Sequence, residues 1–383
     1  MTTIEDIRNA VREGARLLPR GGGSKPGLST PTEGVASLDV SGLAGVLEYD
    51  PGEFTFTALA GTRLAEVQAL LREHGQYLPF DPPLVEKGAT LGGTVAAGLS
   101  GPGRYRYGSV RDFILGVRFV NGHGEVIRGG GKVVKNAAGF DFPKMMVGSL
   151  GQLGVLVELT FKVFPQPPAY LTVSLHCATL AEAVTSLYRL YTARMDIDAL
   201  DLLPGDGAAT LQVRIGGLAA ALPARAERVR ALLGGGEIVQ GAEEAALWRD
   251  AREFAWVPPG WALVKVPLTP RRIVELESAL AGKAPLRRYS SGGNVAWVAL
   301  PEPPMTLHAP FMELGLAGLT VFGPPGQARL GVRLGESFER RVKTVLDPHH
   351  RFWMGDGGWK TATSALGPPS PILHPSDAAH DSD

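Results

Sequence analysis

Two glycine clusters hold the most suggestive chemistry in this chain: PRGGGSK (Pro19–Lys25) and GATLGGTVAAGLSG (Gly88–Gly101). Glycine inside a regular element costs roughly 0.5–1 kcal/mol relative to alanine, so such density points to something other than packing. Successive backbone N–H groups in glycine turns can converge on an anion and hold phosphate without a formal positive charge. Two such turns around a strand–helix module could grip one diphosphate from both sides. Plain flexible turns are the competing account of each cluster. Neither fits G-x-G-x-x-G: Gly21–Gly23 run into Ser24, Lys25 and Pro26, and Gly101-Pro102-Gly103 meets Arg106 where the third glycine belongs. Gly131-Lys132 and Gly282-Lys283 are followed by Val133 and Ala284, so no phosphate-binding G-x-x-x-x-G-K-[ST] loop occurs. A dinucleotide fold of the Rossmann type and a P-loop are both unsupported.

Other polar candidates are sparser. Arg287 and Arg288, beside Tyr289, could form a bidentate carboxylate clamp or the exposed end of a strand. His349 and His350 are adjacent and read better as a solvated pair than as ligands, and His176 falls on an expected strand. His308 in MTLHAPF is the histidine to consider as a base, and no metal site is expected. Gly98-Leu99-Ser100-Gly101-Pro102 breaks the nucleophile-elbow pattern at its last position, and H-E-x-x-H is missing, which disfavours hydrolases. The single cysteine, Cys177, allows no intramolecular disulfide and argues against a cluster ligated by this chain.

The elements that must position these groups follow from periodicity. Ile4, Ile7, Val11 and Ala15 space a first helix with Thr3 and Asp6 as its cap. EFTFTALAG alternates as a strand, and Leu64, Val67, Leu70 and Leu71 line a helix expected to be capped by Thr62 and stopped at Gly75. FILGVRFVNGHGEVIRGG reads as two strands joined by a tight turn at Asn121-Gly122. Prolines 165, 167 and 168 mark a boundary. From Tyr170 the order βαββαβ is the ferredoxin-like pattern, followed by a second strand–helix–strand–strand pass. ESFERRVKTVL is a last helix, and the chain past Lys360 has the composition of a disordered tail.

With 38 basic and 38 acidic residues in 383, there is no basic balance to suggest a nucleic-acid partner. The charged N-terminus is not a secretory signal, and no apolar run approaches the roughly 18 residues of a membrane span. A cytoplasmic protein is expected, at most peripheral to the inner face of a membrane through partners.

Read together, LLPRGGGSK, LREHGQYLPFDPP, the run from GATLGG to FPQP and the late RVKTVLDPHHRFWMG resemble the vanillyl-alcohol-oxidase (PCMH-type) FAD-binding flavoproteins, and among them the FAD-binding subunits of glycolate oxidase. The likeness is strong over residues 15–168, weak over 336–355 and general between. It implies an α+β fold in which residues 1–168 form a PCMH-type FAD-binding domain of two α+β subdomains. Residues 169–330 would then be an α+β cap with ferredoxin-like elements over an antiparallel sheet, and 331–360 would return to the first domain. It also implies FAD with its diphosphate on two backbone loops: Arg20, Gly21, Gly22, Gly23 and Ser24, then Thr90, Leu91, Gly92, Gly93, Thr94 and Gly98, with Pro82 just upstream. Gly108, Ser109 and Asp112 correspond to the segment beside the flavin, and Gly154 and Val155 to the adenine side.

Departures matter. Where covalent members carry G-G-H, this chain has Gly22-Gly23-Ser24, so non-covalent FAD is expected. The cap lacks the histidine-rich metal string of D-2-hydroxy-acid relatives; Tyr289–Trp297 stands in its place without a histidine. The relatives' GYDL is GFDF here, with Phe140 for the tyrosine, and the closing NPG is Trp353-Met354-Gly355. The candidate catalytic groups are His308 as a flavin-side base, Arg288 as a carboxylate clamp, and Lys135, with Lys132, as a cation near reduced flavin. The resemblance implies a subunit that accepts or relays electrons from glycolate or a similar small 2-hydroxy acid, beside a sister flavoprotein subunit and an iron–sulfur subunit. A stand-alone 2-hydroxy-acid oxidoreductase and a flavin-free assembly subunit are the alternatives.

Overall fold

A computed structural model describes residues 2–131, 140–283 and 285–353. In the first domain, α1 (Ile4–Arg12) starts at Thr3, whose hydroxyl accepts from the Asp6 amide while Asp6 answers the Thr3 amide. Strand β1 (Leu17–Arg20) leads through the first glycine turn to α2 (Pro26–Ser29) and pairs in parallel with β2 (Ala36–Asp39). Next come β3 (Val46–Asp50), β4 (Thr55–Leu59), α3 (Leu64–Glu73) and β5 (Gln76–Tyr77). The second glycine cluster forms α4 (Leu91–Ala97), followed by short helices α5 (Arg104–Tyr107) and α6 (Val110–Phe113). Strands β6 (Ile114–Val120) and β7 (Val126–Gly130), helix α7 (Phe142–Met146), β8 (Val155–Lys162) and β9 (Phe164–Pro165) complete the domain. The central sheet is antiparallel in the order β3-β4-β8-β6-β7.

Two local expectations are corrected. Arg63, not Thr62, is the N-cap of α3. The Thr62 hydroxyl is buried, donating to backbone carbonyls at Gly45 and Leu59 and accepting the Gly45 amide, so it is unavailable to the helix. Between β6 and β7 the chain makes a five-residue loop, 121–125, rather than a two-residue turn. The Asn121 side chain accepts the amides of His123 and Glu125, and Gly124 takes the positive φ of +74°.

The cap contains β10 (Ala169–Cys177), α8 (Leu180–Thr192), β11 (Ala199–Pro204), β12 (Ala209–Gly217), α9 (Leu222–Leu233) and β13 (Glu237–Gln240). Helix α10 (Gly241–Glu253) then crosses to β14 (Ala262–Pro267), α11 (Ile273–Ala279), β15 (Leu286–Ser290), β16 (Val295–Leu300), α12 (His308–Leu314), β17 (Ala317–Phe322) and β18 (Arg329–Gly331). The nine strands form one antiparallel sheet, β13-β10-β12-β11-β15-β16-β14-β17-β18. Each half is thus a βαββαβ unit, and the two join edge to edge through their equivalent second strands, β11 and β15. The second pass goes further than its sequence pattern suggests, because α12 and β17 complete it.

One face of this sheet packs on the first domain and the other on its own helices. Val295, Trp297 and Ala299 of β16 join the core that contains α3 and α4, while Ala296, Val298 and Leu300 join the core under α8, α9, α11 and α12. Burial on both faces explains why β16 reads as an unbroken apolar run.

Helix α13 (Glu336–Leu346) brings the chain back to the first domain. Buried Lys343 donates to the carbonyls of Gln152 (2.6 Å) and Phe352 (2.9 Å) and to Asp347. Phe352 packs with Ile7, Val11 and Leu17, and the Trp353 amide donates to the Leu17 carbonyl.

Candidate functional site

The two glycine clusters meet. Arg20 to Ser24, Lys25, Thr90, Gly92, Gly93, Ala96, Ala97, Gly154 and Val155 line one cavity. Most of these glycines are demanded by the meeting itself. A methyl on Gly21 would overlap the Thr90 hydroxyl, and one on Gly22 would overlap the Gly88 carbonyl oxygen. A methyl on Gly92 would press on Ala60, and Gly23 has a φ of +68°. At Gly93 a methyl would stand 3.1 Å from the Thr90 hydroxyl and 3.9 Å from Lys25 Nζ, both on the cavity wall.

The two loops also differ in what they offer. In the second, Thr90 caps α4 by accepting the Gly93 amide, and the amides of Leu91 and Gly92 donate to the carbonyls of Thr62 and Ala60. These donors are spent. In the first, the amides of Gly21 to Lys25 have no partner among the described residues. Five successive N–H groups without a protein partner are available to an anion.

Lys25 closes the argument. It is 7% exposed, and among the described residues its ammonium reaches only the Ser24 hydroxyl, at 3.0 Å. Burial pushes its pKa down to about 8. A buried cation with no acid beside it is costly to keep, and here it stands against a run of unpaired amides. Such an arrangement favours negative charge at this place. A second hollow at the domain seam, lined by Tyr77, Tyr107, Tyr170, Asp198, Arg214 and Arg252, lacks this imbalance. There Arg252 pairs with Asp81 (3.0 Å), Arg106 with Asp198 (3.1 Å) and Arg214 with Glu244 (2.8 Å).

The remaining expected cofactor residues lie outside the cavity lining. Leu91 points into the core, and Thr94 is buried with its hydroxyl unpartnered. Pro82 is buried. Gly98 is the left-handed cap of α4 and faces the Gly148 backbone at 3.1 Å. Gly108 has a φ of +95°, and Ser109 and Asp112 form the capping box of α6. Lys25 itself stands in the quoted motif, but its chemistry was not legible there, since a lysine beside a proline reads as surface.

The catalytic candidates fare worse. Arg288 is buried in the cap sheet, bound to Asp201 at 2.6 Å and Gln212 at 3.0 Å, so it is neither a strand end nor a clamp. Arg287 is held by Glu277. The Nδ1 of His308 accepts the Gly331 amide on an exposed part of the cap, away from the glycine cavity. Lys132 and Lys135 lie outside the described residues. His123 and His349 stack edge to face, and His176 is exposed. Among the described residues, no three His, Cys, Asp or Glu side chains converge as a metal site would need, and no helix is long and apolar enough to cross a membrane.

The chain is similar to known proteins over much of its length. Residues 1–130 match the family model described as FAD binding domain. The chain is 39% identical over 250 residues to glycolate oxidase subunit GlcE of Escherichia coli, covering 65% of this chain and 67% of that one. It is 34% identical over 152 residues to glycolate oxidase subunit GlcD of Bacillus subtilis, spanning 39% of this chain and 32% of that protein. An alkyldihydroxyacetonephosphate synthase structure superposes with a TM-score of 0.69 at 17% identity, over 91% of this chain and 74% of that one, which speaks for the fold alone. With two thirds of a GlcE chain matched at that identity, this chain belongs to the PCMH-type FAD-binding flavoproteins.

Proposed function

We propose that the chain is the FAD-binding subunit of a glycolate oxidase-like complex, an oxidoreductase subunit that holds FAD non-covalently and takes up electrons from a small 2-hydroxy acid. The observation that carries this reading is Lys25, a buried cation without an acid, placed between two glycine loops beside unpaired amides. The residues present suit a diphosphate: the first loop offers donors, Lys25 offers charge, and the second loop gives a close wall. FAD, when bound, supplies two-electron acceptance; the protein's part is to bind, orient and shield it. Among the described residues, no histidine, cysteine or tyrosine lines the cavity, which favours a non-covalent cofactor.

The likeness to GlcE and GlcD supports a heteromeric assembly. In that assembly a sister flavoprotein subunit and an iron–sulfur subunit pass the electrons on. Purified chain should carry one FAD, or take one up, and release it intact on acid precipitation. Colourless protein that ignores excess FAD overturns the reading. Glycolate should bleach the flavin faster when the partner subunits are present, and equal rates with and without them would remove the complex from the proposal.

A further inference from the structure

The second glycine loop is not held by its own domain alone. The chain reaches it from β5 through an arm, residues 81–88, that ends at the Gly88 carbonyl against which Gly22 of the first loop packs. The arm is sharply bent. Asp81 and Leu84, neither of them glycine, take φ values of +53° and +64°. Side chains disfavour that region, and such residues persist only where their surroundings hold them.

What holds this arm comes from the cap. Three successive amides, of Leu84, Val85 and Glu86, have their acceptors at the C-terminal end of α10 and, among the described residues, nowhere else. The Leu84 amide donates to the Arg252 carbonyl at 3.2 Å. Those of Val85 and Glu86 donate to the two oxygens of the Glu253 carboxylate, at 2.8 and 3.2 Å. Glu253 is 5% exposed; burial raises its pKa, and the two amides act the other way. The Arg252 guanidinium ties the start of the arm through Asp81, at 3.0 Å. Asp81 in turn accepts the amides of Gly101 and Gly103, just past α4. Buried amides need partners, and the first domain offers these three none. The arm therefore keeps its shape only with the cap in place.

We propose that Glu253 is a positioning residue for the cofactor: from the cap it fixes the arm and, through the contact of Gly88 with Gly22, sets the spacing of the two glycine loops. This rests on the FAD reading above. It makes the cavity a product of both domains, although every residue that lines it belongs to the first.

The test is Glu253→Gln in the full chain, which keeps the size but turns an NH2 group toward one of the amide donors. Charge and positioning predict opposite signs here. Removing a negative charge by itself favours an anionic ligand, so weaker binding has to come from the arm. Fluorescence titration should show FAD and ADP bound about tenfold more weakly, the low end for losing a hydrogen bond to a charged group. In the FAD-free protein, hydrogen exchange should quicken at Leu91 and Gly92, whose amides donate within the first domain to Thr62 and Ala60. Arg249→Met breaks only an exposed 3.8 Å pair with Glu86 and should change neither readout. Arg252→Gln cuts the Asp81 tie and should act as Glu253→Gln does, which keeps the test open if the latter fails to fold. FAD bound by Glu253→Gln within threefold of wild type, or more tightly, overturns the proposal. So does exchange quickened at Val85 and Glu86 alone, or equal weakening by Arg249→Met. If the wild-type chain takes up no FAD, the cavity reading fails by itself, and the exchange at Leu91 and Gly92 still decides the positioning.

Discussion

Replacing Lys25 with methionine removes the charge while keeping most of the volume, and the structure sets the scale of the result. The ammonium's pKa falls from the ordinary 10.5 to about 8 through burial. At 1.36 kcal/mol per pKa unit, the empty protein carries a penalty of about 3 kcal/mol for keeping it charged near neutral pH. The sign follows from proton binding. Between pH 8 and 10.5 the unfolded chain binds the Lys25 proton and the folded one does not, so stability rises with pH across that window. Below pH 8 the penalty is present in full. Empty Lys25→Met should therefore be more stable than wild type at pH 7, by up to about 3 kcal/mol in urea unfolding. FAD reverses the order, because a diphosphate offsets the buried charge. The variant should bind FAD about 100-fold more weakly, since each 1.4 kcal/mol is tenfold. ADP, which keeps the diphosphate and lacks the flavin, should lose as much. Wild-type affinity for FAD should hold steady below pH 8 and fall above it, and the variant's should stay flat. Fluorescence titrations of FAD, ADP and riboflavin measure all of this. FAD bound by Lys25→Met within threefold of wild type at pH 7 refutes the argument.

Two further changes probe the frame rather than the cavity. Arg288→Met leaves Asp201 buried opposite an apolar side chain, and breaking such a pair typically costs about 3–5 kcal/mol, so urea unfolding should shift markedly while one FAD still binds per chain. Loss of FAD at full stability would return Arg288 to the list of site residues. Lys343→Met takes the ammonium away from two backbone carbonyls and from Asp347, which keeps only the amides of Arg351 and Phe352, at the point where α13 rejoins the first domain. A penalty of similar size is expected, read as earlier proteolytic release of the segment after Gly331; unchanged protection would deny that contact its role.

Much of this was legible in the sequence, because local pattern and global fold agree there. The βαββαβ order of the cap follows from periodicity, and the observed strand order of its first half, β13-β10-β12-β11, is the one that pattern builds. The family could be read from the motif run between Gly88 and Pro168. What escaped was set by contacts far apart in the chain. Arg288 reads as a strand end until β11 of the first cap unit brings Asp201 to it across the join between the halves. Thr62 reads as a cap until Gly45 claims its hydroxyl. Lys25 reads as a surface lysine, yet the turn that carries it runs into α2, which packs on β17 with Gly27 against the Thr320 carbonyl. No local pattern contains those partners.

The glycines themselves show how one sequence signal divides into two physical causes, and the division can be tested. Gly22→Ala places its methyl on the Gly88 carbonyl, so the loops must part and both stability and cofactor should suffer; overpacking of this kind costs about 1–3 kcal/mol. Gly93→Ala differs. Gly93 has ordinary helical geometry inside α4, and its added methyl would meet the Thr90 hydroxyl at 3.1 Å and Lys25 Nζ at 3.9 Å, with no backbone in the way. Alanine is favoured over glycine in a helix interior by about 1 kcal/mol, which offsets the small shift the Thr90 hydroxyl must make, so the protein without FAD should stay close to wild type in stability. The methyl nonetheless takes space beside Lys25 where the proposed diphosphate would lie, so FAD affinity should fall at least tenfold. A stable Gly93→Ala protein with weakened FAD ties the cavity to the ligand rather than to folding. If it binds FAD as tightly as wild type, the diphosphate does not lie against the start of α4, and the cavity has been assigned to the wrong group.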